Sequence, residues 1–562
     1  MSENTATPGA AQGSTRPRWR GALLAAGVLG VGLASAAGLF YSGAFTPEVP
    51  RELAESSELQ LDLGRPDALI ESQSLSGLPK DLLSVPLLRD SLTEDLVFYY
   101  EANPDRLGLA GSLRRIIYEH DLQLQDSLLD ELLDQPAQVA LWRGEDGKLK
   151  HFLLLLDRGG LARLLEPLAR VAASDTQLSE VASLQVDGDV VPLYRLNYNG
   201  RQSLLLASHG DKLLVLSSPG MLLQSQWDGT LPGREAIARV EALLDGDSPF
   251  AERFGLESDS ALRQRITLSS DFLALGYQRF IPTFAGLRFE MDGQGWHSFL
   301  ALNDSEERSS LAFAPVWQAM PMGASACVAL PVATRLPKDL LVKVGVEDAA
   351  ASALTEHLSG AAGLCWYPES RLHSPLLVGQ LDESVGSGQD QQLGALFESL
   401  IGAQEVQERA PVETQTLGQA QRWQRTVSSN FGQYPGSEPG RGFFKISLAR
   451  HGATLLFSLD DTLVGKALDT LDKRFPPLAD VLPKDALVPL YLAPDTLAKL
   501  FEQETLDSLP TDMEPVFRNA AQTLLLPKLK ALAGHGRYAL TLPADAEADG
   551  SWSWQPLQWK PL

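Results

Sequence analysis

The hexapeptide LPKDLL stands at Leu78–Leu83 and again at Leu336–Leu341, and this recurrence constrains the fold more than any other feature of the chain. Further landmarks follow in the same order after each copy. ALWRGEDGKLKHFLLLLD (Ala140–Asp157) resembles GLCWYPESRLHSPLLVGQLD (Gly363–Asp382), which sets Trp142 against Trp366, Asp157 against Asp382, and Leu141 against Cys365. HGDKLLVLSSPGML from His209 resembles HGATLLFSLDDTLV from His451, and LPGREAI from Leu231 resembles LPKDALV from Leu482. Gly286–Trp296 and Gly536–Trp552 both end in Asp-Gly followed by tryptophan. Differences in spacing between such landmarks are absorbed by loops, whose closure entropy grows only slowly with length.

The local patterns within each copy alternate strands and helices. HFLLLLD, SLLLAS, KLLVLSS and TLLFSLD are apolar runs bounded by Gly, Asp or Asn, the signature of strands in hairpins. DQQLGALFESLIGA and REAIARVEALLDG space their apolar residues as helices do. The expected fold class is therefore α+β: one N-terminal transmembrane helix, then two homologous lobes of mainly antiparallel sheet covered by helices. The expected segments are a cytoplasmic tail (1–20), an anchor (21–41), a stalk (42–77), lobe 1 (78–303), a linker with a connecting strand (304–335) and lobe 2 (336–562).

Gly21–Tyr41 contains no charged residue and follows Arg16, Arg18 and Arg20. About 20 apolar residues suffice to cross a bilayer as a helix. Arginines on the N-terminal side place that end in the cytoplasm and the bulk of the chain, beyond an inner-membrane anchor, on the periplasmic or extracellular side. The rival reading is a cleaved signal peptide, with Ala34-Ser35-Ala36 as its processing site; the apolar run continues past it through Leu39, Phe40 and Tyr41. Ala26, Gly30, Ala34 and Gly38 repeat the small-residue spacing of packed membrane helices.

The 71 acidic and 47 basic residues of the 562-residue chain give a net charge of −24, which repels nucleic-acid phosphates. Nucleic-acid binding is thereby disfavoured. The common nucleophile, zinc-protease and nucleotide motifs (G-x-S-x-G, S-x-x-K, H-E-x-x-H, Walker A, G-x-G-x-x-G) are missing from the sequence. No cofactor, metal or catalytic residue is implied.

A few residues stand out as candidates. His209 and His451 each precede glycine at the mouth of a hairpin, where turn chemistry already explains the dipeptide. Cys327 and Cys365 lie in strand-like runs and form a candidate disulfide in an oxidising compartment. Trp552, Trp554 and Trp559 crowd the C-terminus. Trp552 is paired by the repeat with Trp296 and reads as core, leaving Trp554 and Trp559 as candidate partner-binding residues.

RPRWRGALLAAGVLGVGLASAAGLFYSGAF, the LPKDLL segments and GLCWYPESRLHSPLL together resemble the domain of unknown function 2138 family. These are anchored proteobacterial proteins whose genes neighbour bacterial alpha-2-macroglobulins. The resemblance implies a periplasmic setting and cooperation with an alpha-2-macroglobulin-like partner, and it transfers no catalytic residue. The expected function is a membrane-tethered periplasmic binding or scaffold protein. The alternatives are an exported hydrolase with an unrecognised site and a periplasmic assembly factor or holdase.

Overall fold

A computed structural model describes residues 61–562 apart from 85–133, 158–176, 429–442 and several shorter connections. The anchor run Gly21–Tyr41, the tail, most of the stalk, the Asp304–Ser310 linker and the loop at 430–441 lie outside the described residues.

The first ten strands of the main sheet are β1 (Ala68–Ser72), β2 (Ala137–Arg143), β3 (Leu149–Asp157), β4 (Leu178–Val186), β5 (Asp189–Tyr198), β6 (Gln202–His209), β7 (Lys212–Leu216), β10 (Gln264–Ser269), β11 (Phe284–Asp292) and β12 (Gly295–Leu302). Strands β8 (Leu223–Gln226) and β9 (Gly229–Pro232) form a separate hairpin. The second ten are β13 (Ala326–Pro331), β14 (Leu358–Trp366), β15 (Leu376–Leu381), β16 (Glu413–Leu417), β17 (Ala420–Ser428), β18 (Phe443–His451), β19 (Thr454–Ser458), β20 (Ala486–Leu492), β21 (Tyr538–Pro543) and β22 (Ser553–Pro561).

Side by side, the first set reads β4-β5-β6-β7-β3-β2-β1-β10-β11-β12. The second reads β16-β17-β18-β19-β15-β14-β13-β20-β21-β22, the same order strand for strand. Every pairing is antiparallel, and the last strands of the two sets pair with each other. Ser298–Leu302 of β12 runs against Ser553–Leu557 of β22, whose remaining residues continue on β21.

This join corrects the expected fold class. Instead of two α+β lobes, each with its own sheet, there is one 20-stranded, all-antiparallel open sheet in which strand outweighs helix. The physical reason is that β12 ends the first set with an unpaired backbone edge, and the equivalent edge of β22 satisfies it. No helix among the described residues is long and apolar enough to cross a membrane, and the expected anchor Gly21–Tyr41 lies outside them.

The helices follow the chain as α1 (Leu78–Leu83), α2 (Arg234–Asp245), α3 (Pro249–Arg253), α4 (Ser270–Ala274), α5 (Ala314–Ala319), α6 (Asp348–Thr355), α7 (Asp390–Gln404), α8 (Asp461–Leu471) and α9 (Pro494–Asp507), with two further helices at Glu514–Ala520 and Leu526–Ala533. Alternate strand residues face opposite sides. On one face, Leu69, Trp142, Leu153, Leu205 and Leu214 pack beneath α2 and α3 through Val240, Leu243 and Phe250. The matching face of the second half packs Cys327, Tyr367, Val378 and Leu456 beneath α5 and α8. The reverse face carries α1 and α4 over Ile266 and Phe289, and α7 over Trp423 and Ile446.

Pairing register also corrects several landmark matches. Counting from Ala68 and Ala326, each 10 residues before its LPKDLL copy, Ala68 faces Leu141 and Ala326 faces Trp366. Trp142 is therefore equivalent to Tyr367, both buried on the same face, and Ala140 is equivalent to Cys365. Asp157 faces Lys212 and Gln380 faces Thr454, so Asp157 is equivalent to Gln380 rather than Asp382. The histidine match keeps its register: His209 faces Lys212 and His451 faces Thr454, across turns led by Gly210 (φ 53°) and Gly452 (φ 56°). A positive φ at these first turn positions is what glycine supplies without a Cβ clash.

Candidate functional site

Helix α8 ends in a chain reversal at Lys473, which holds φ 62° while Arg474 and Phe475 donate their backbone N–H groups to Asp469 O at 2.7 and 3.1 Å. A non-glycine residue in this region costs on the order of 1 kcal/mol. The reversal launches the segment RFPPLADVLPK (Arg474–Lys484) across the end of α5. Met322 N–H bonds Pro476 O at 3.0 Å and Leu478 N–H bonds Met320 O at 2.7 Å. Leu478 and Leu482 sink into the core, while Phe475 and Val481 remain exposed.

The segment, α5, the start of β20 and Ala544 enclose a groove of about 1,100 Å³. Trp317, Leu487, Val488, Pro476, Pro477 and Pro483 supply its apolar lining. Trp317 is held in place by an Nε1–H bond to Val488 O at 2.9 Å. Lys473, Arg474, Asp480 and Lys484 supply charge, and Arg474 is occupied by Asp469 at 2.9 Å and Asp472 at 2.7 Å. Serine, cysteine and histidine do not occur among the lining residues, and the one hydroxyl there, that of Thr470, donates to Lys466 O at 2.8 Å within α8. An apolar floor with prolines and a charged rim suits an extended polypeptide. Sequence reading used this stretch only as the landmark LPKDALV. The usable signal was three prolines and exposed apolar residues between cations.

The candidate residues from the sequence occupy other places. Trp559 is 9 % exposed and packs with Tyr538, Leu490 and Leu540. Trp554 lies at the junction of the two strand sets. Its Nε1–H donates to Phe254 O at 2.9 Å, its ring stacks on Trp552 at 5.6 Å, and the Arg288 guanidinium covers it at 4.6 Å. Trp552 in turn meets Phe254 edge-on at 5.3 Å and Arg253 at 5.3 Å. Trp552 and Trp554 thus fasten the last strand to α3 and to the residue that follows it. Trp296 lies on the reverse face, donating Nε1–H to Asp81 O at 3.1 Å.

Cys327 and Cys365 face each other across β13 and β14, Cα atoms 4.1 Å apart, and are joined as a disulfide. His451 Nε2 lies 3.0 Å from Asp472, whereas His209 has no ion-pair partner among the described residues. The two histidines end different hairpins and do not form a joint site. Among the described residues, no group of three His, Cys, Asp or Glu side chains gathers as a metal site.

The histidine missed by sequence reading is His151 on β3. It is buried, its Nδ1 has no hydrogen-bond partner, and burial, with Lys150 adding repulsion, pushes its pKa down to about 4.

Similarity to known proteins is extensive but concerns proteins of undescribed activity. The chain is 47 % identical over 560 residues to the "Uncharacterized protein YfaA" of Escherichia coli (strain K12), covering 96 % of each chain. No solved structure matches. The family described as "Uncharacterized protein conserved in bacteria (DUF2138)" matches residues 21–559, and with nearly the whole chain inside that match the protein belongs to this family.

Proposed function

We propose that this protein is a membrane-tethered scaffold that holds a protein partner outside the cytoplasm, with Gly21–Tyr41 as the tether. The single observation that carries the reading is the groove beside α5. It combines exposed Phe475 and an apolar lining with charges at its rim, the composition of a contact surface for another polypeptide. Trp554 and Trp559 are engaged within the molecule, which leaves the groove as the more accessible surface for a partner. An alpha-2-macroglobulin-like protein is the partner to try first. The repeated landmarks and the repeated strand order support descent of the two halves from one duplicated unit.

The test is co-purification of full-length, detergent-extracted protein with an alpha-2-macroglobulin-like partner, comparing wild type with Phe475→Asp and Leu487→Asp. Phe475 is exposed, so its replacement leaves the fold intact. Loss of an apolar anchor of this kind weakens capture by roughly 10-fold or more. Equal capture by wild type and both variants removes the groove from the reading. A periplasm-active reporter at the C-terminus checks the tether, and a cytoplasm-only signal overturns the topology.

A further inference from the structure

In the first half of the sheet, the ends of β1, β2, β3, β7 and β10 meet below the C-terminal end of α2 and leave a cleft of about 360 Å³. Its charged lining is Glu71, Asp157, Lys212, Arg263 and Arg265. The Arg265 side chain is 8 % exposed and each of its three nitrogens is engaged: Nε donates to Glu290 at 2.9 Å, Nη1 to Glu71 at 3.0 Å and Nη2 to Glu257 O at 3.0 Å. It therefore positions Glu71 without itself being available to a ligand. Glu71 Oε1 receives one long contact of 3.4 Å from Gln138, and Lys212 pairs with Asp157 across β3 and β7. Arg263, its side chain 56 % exposed, pairs through Nη2 with Asp81 at 3.2 Å, so two carboxylates, an ammonium and a solvent-facing guanidinium line the same small space.

The second half builds the equivalent positions without these charges. Glu71 becomes Ala329, Gln138 becomes Gly363, and Arg265 falls on the bulge at Val488–Pro489. The Lys212–Asp157 pair becomes Thr454 and Gln380, neutral partners joined at 3.3 Å. Helix α5 closes that position: a Cβ on Gly363 would lie 2.4 Å from Met320 and 2.5 Å from Val316. The second half thus forms the same strand pairing without these charges. Partly buried ion pairs add little net stability over well-packed apolar residues, so stability does not explain why the first half carries them.

We infer that this cleft binds a small zwitterion of the α-amino-acid class, its carboxylate toward Lys212 and Arg263 and its ammonium toward Glu71 and Asp157. The volume lies at the small end of ligand pockets. Opposed charges on the lining match a ligand carrying both signs. A ligand of one sign leaves part of the lining unmatched, which discriminates against it. The inference is independent of the groove and of the protein partner.

The experiment is calorimetric titration of full-length, detergent-extracted protein with L-alanine, L-glutamate and L-lysine, and with acetate and methylammonium as single-charge controls. The expected result is saturable binding of at least one amino acid and no binding of either control. Asp157→Gln combined with Lys212→Thr installs the neutral pair that the second half already folds with. It should keep the thermal midpoint within about 2 °C while weakening amino-acid binding by roughly 10-fold or more. Glu71→Gln, which removes the negative charge facing the ammonium, should weaken it comparably. Absence of amino-acid binding to the wild type, equal binding of acetate or methylammonium, or unchanged binding in both variants overturns the inference.

Discussion

The two halves of the sheet share a strand order and differ in what occupies the space beneath their helices. In the first, α2 and α3 leave an ionic cleft at the strand ends; in the second, α5 presses Val316 and Met320 onto Gly363 and the corresponding space is filled. Backbone pairing dictates the order of strands, because each edge must find a partner for its N–H and C=O groups. Side-chain volume then decides whether the surface so built is closed or open. One topology therefore serves for packing in one half and leaves room for a ligand in the other.

The most severe way to test this equivalence is to exchange the residues that occupy one strand position. Gly363→Gln places the side chain of Gln138 into the second half, where Met320 and Val316 leave no room for even a Cβ. Overpacking, together with burial of an amide lacking partners, should cost about 4 kcal/mol or more. The reverse change, Gln138→Gly, faces the open cleft and should cost about 1 kcal/mol. Chemical denaturation midpoints measure both. Near-equal costs break the claim that the halves differ by filling.

A titratable difference gives the next largest effect. His151 is buried in the first half, and the equivalent position by strand spacing is Ser374. The folded-state pKa of His151, about 4, lies below the unfolded value near 6.5, so the folded protein takes up its proton later as pH falls. The stability it contributes is complete above pH 6.5 and is lost as pH drops through 6.5 toward 4, amounting to about 3 kcal/mol at pH 4. His151→Gln should remove that part of the pH dependence. A stability profile with the same slope between pH 6.5 and 4 in wild type and variant assigns the acid sensitivity elsewhere.

Much of the local structure was legible from residue patterns. Asp187 and Gly188, both at positive φ, make the tight turn between β4 and β5 that an Asp-Gly dipeptide favours, and Gly210 and Gly452 open the histidine turns. The join between β12 and β22 was not legible. It is made by backbone groups roughly 250 residues apart, and an unpaired edge leaves no mark in side-chain identity. The landmark Trp142–Trp366 failed by one residue because it matched ring type and ignored the face. Trp142 is buried, whereas Trp366 is half-buried and bonds Leu372 O through Nε1–H. The ionic cleft draws Glu71, Asp157, Lys212 and Arg265 from four strands, a convergence that only the pairing pattern creates.

The disulfide supplies a smaller contrast. Cys327 and Cys365 occupy the positions of Leu69 and Ala140, which pack without a cross-link. Closing a span of 38 residues stabilises by about 2–4 kcal/mol in the chain-entropy description. Cys327→Leu with Cys365→Ala restores the apolar pair of the first half, so packing should offset part of that loss and the net cost should be about 2 kcal/mol. A midpoint measured under oxidising conditions checks it. A loss as large as that of Gly363→Gln shows that the two sites are not interchangeable.

The smallest effect belongs to the histidines that the repeat makes most conspicuous. Both end a hairpin before a glycine at positive φ, so the turn geometry is carried by Gly210 and Gly452 in either half. His451 differs by its 3.0 Å contact to Asp472 at the end of α8, beside the reversal that begins the groove. That contact is partly solvated, and such polar contacts contribute little. His451→Ala should lower stability by about 0.5 kcal/mol and His209→Ala by less, with partner capture and amino-acid binding unchanged in both, since neither residue lines the groove or the cleft. Co-purification and calorimetry on the two variants test this directly. A loss of capture in His451→Ala alone, without a change in midpoint, would show that the Asp472 contact controls the reversal at Lys473 and extends the binding surface toward β18.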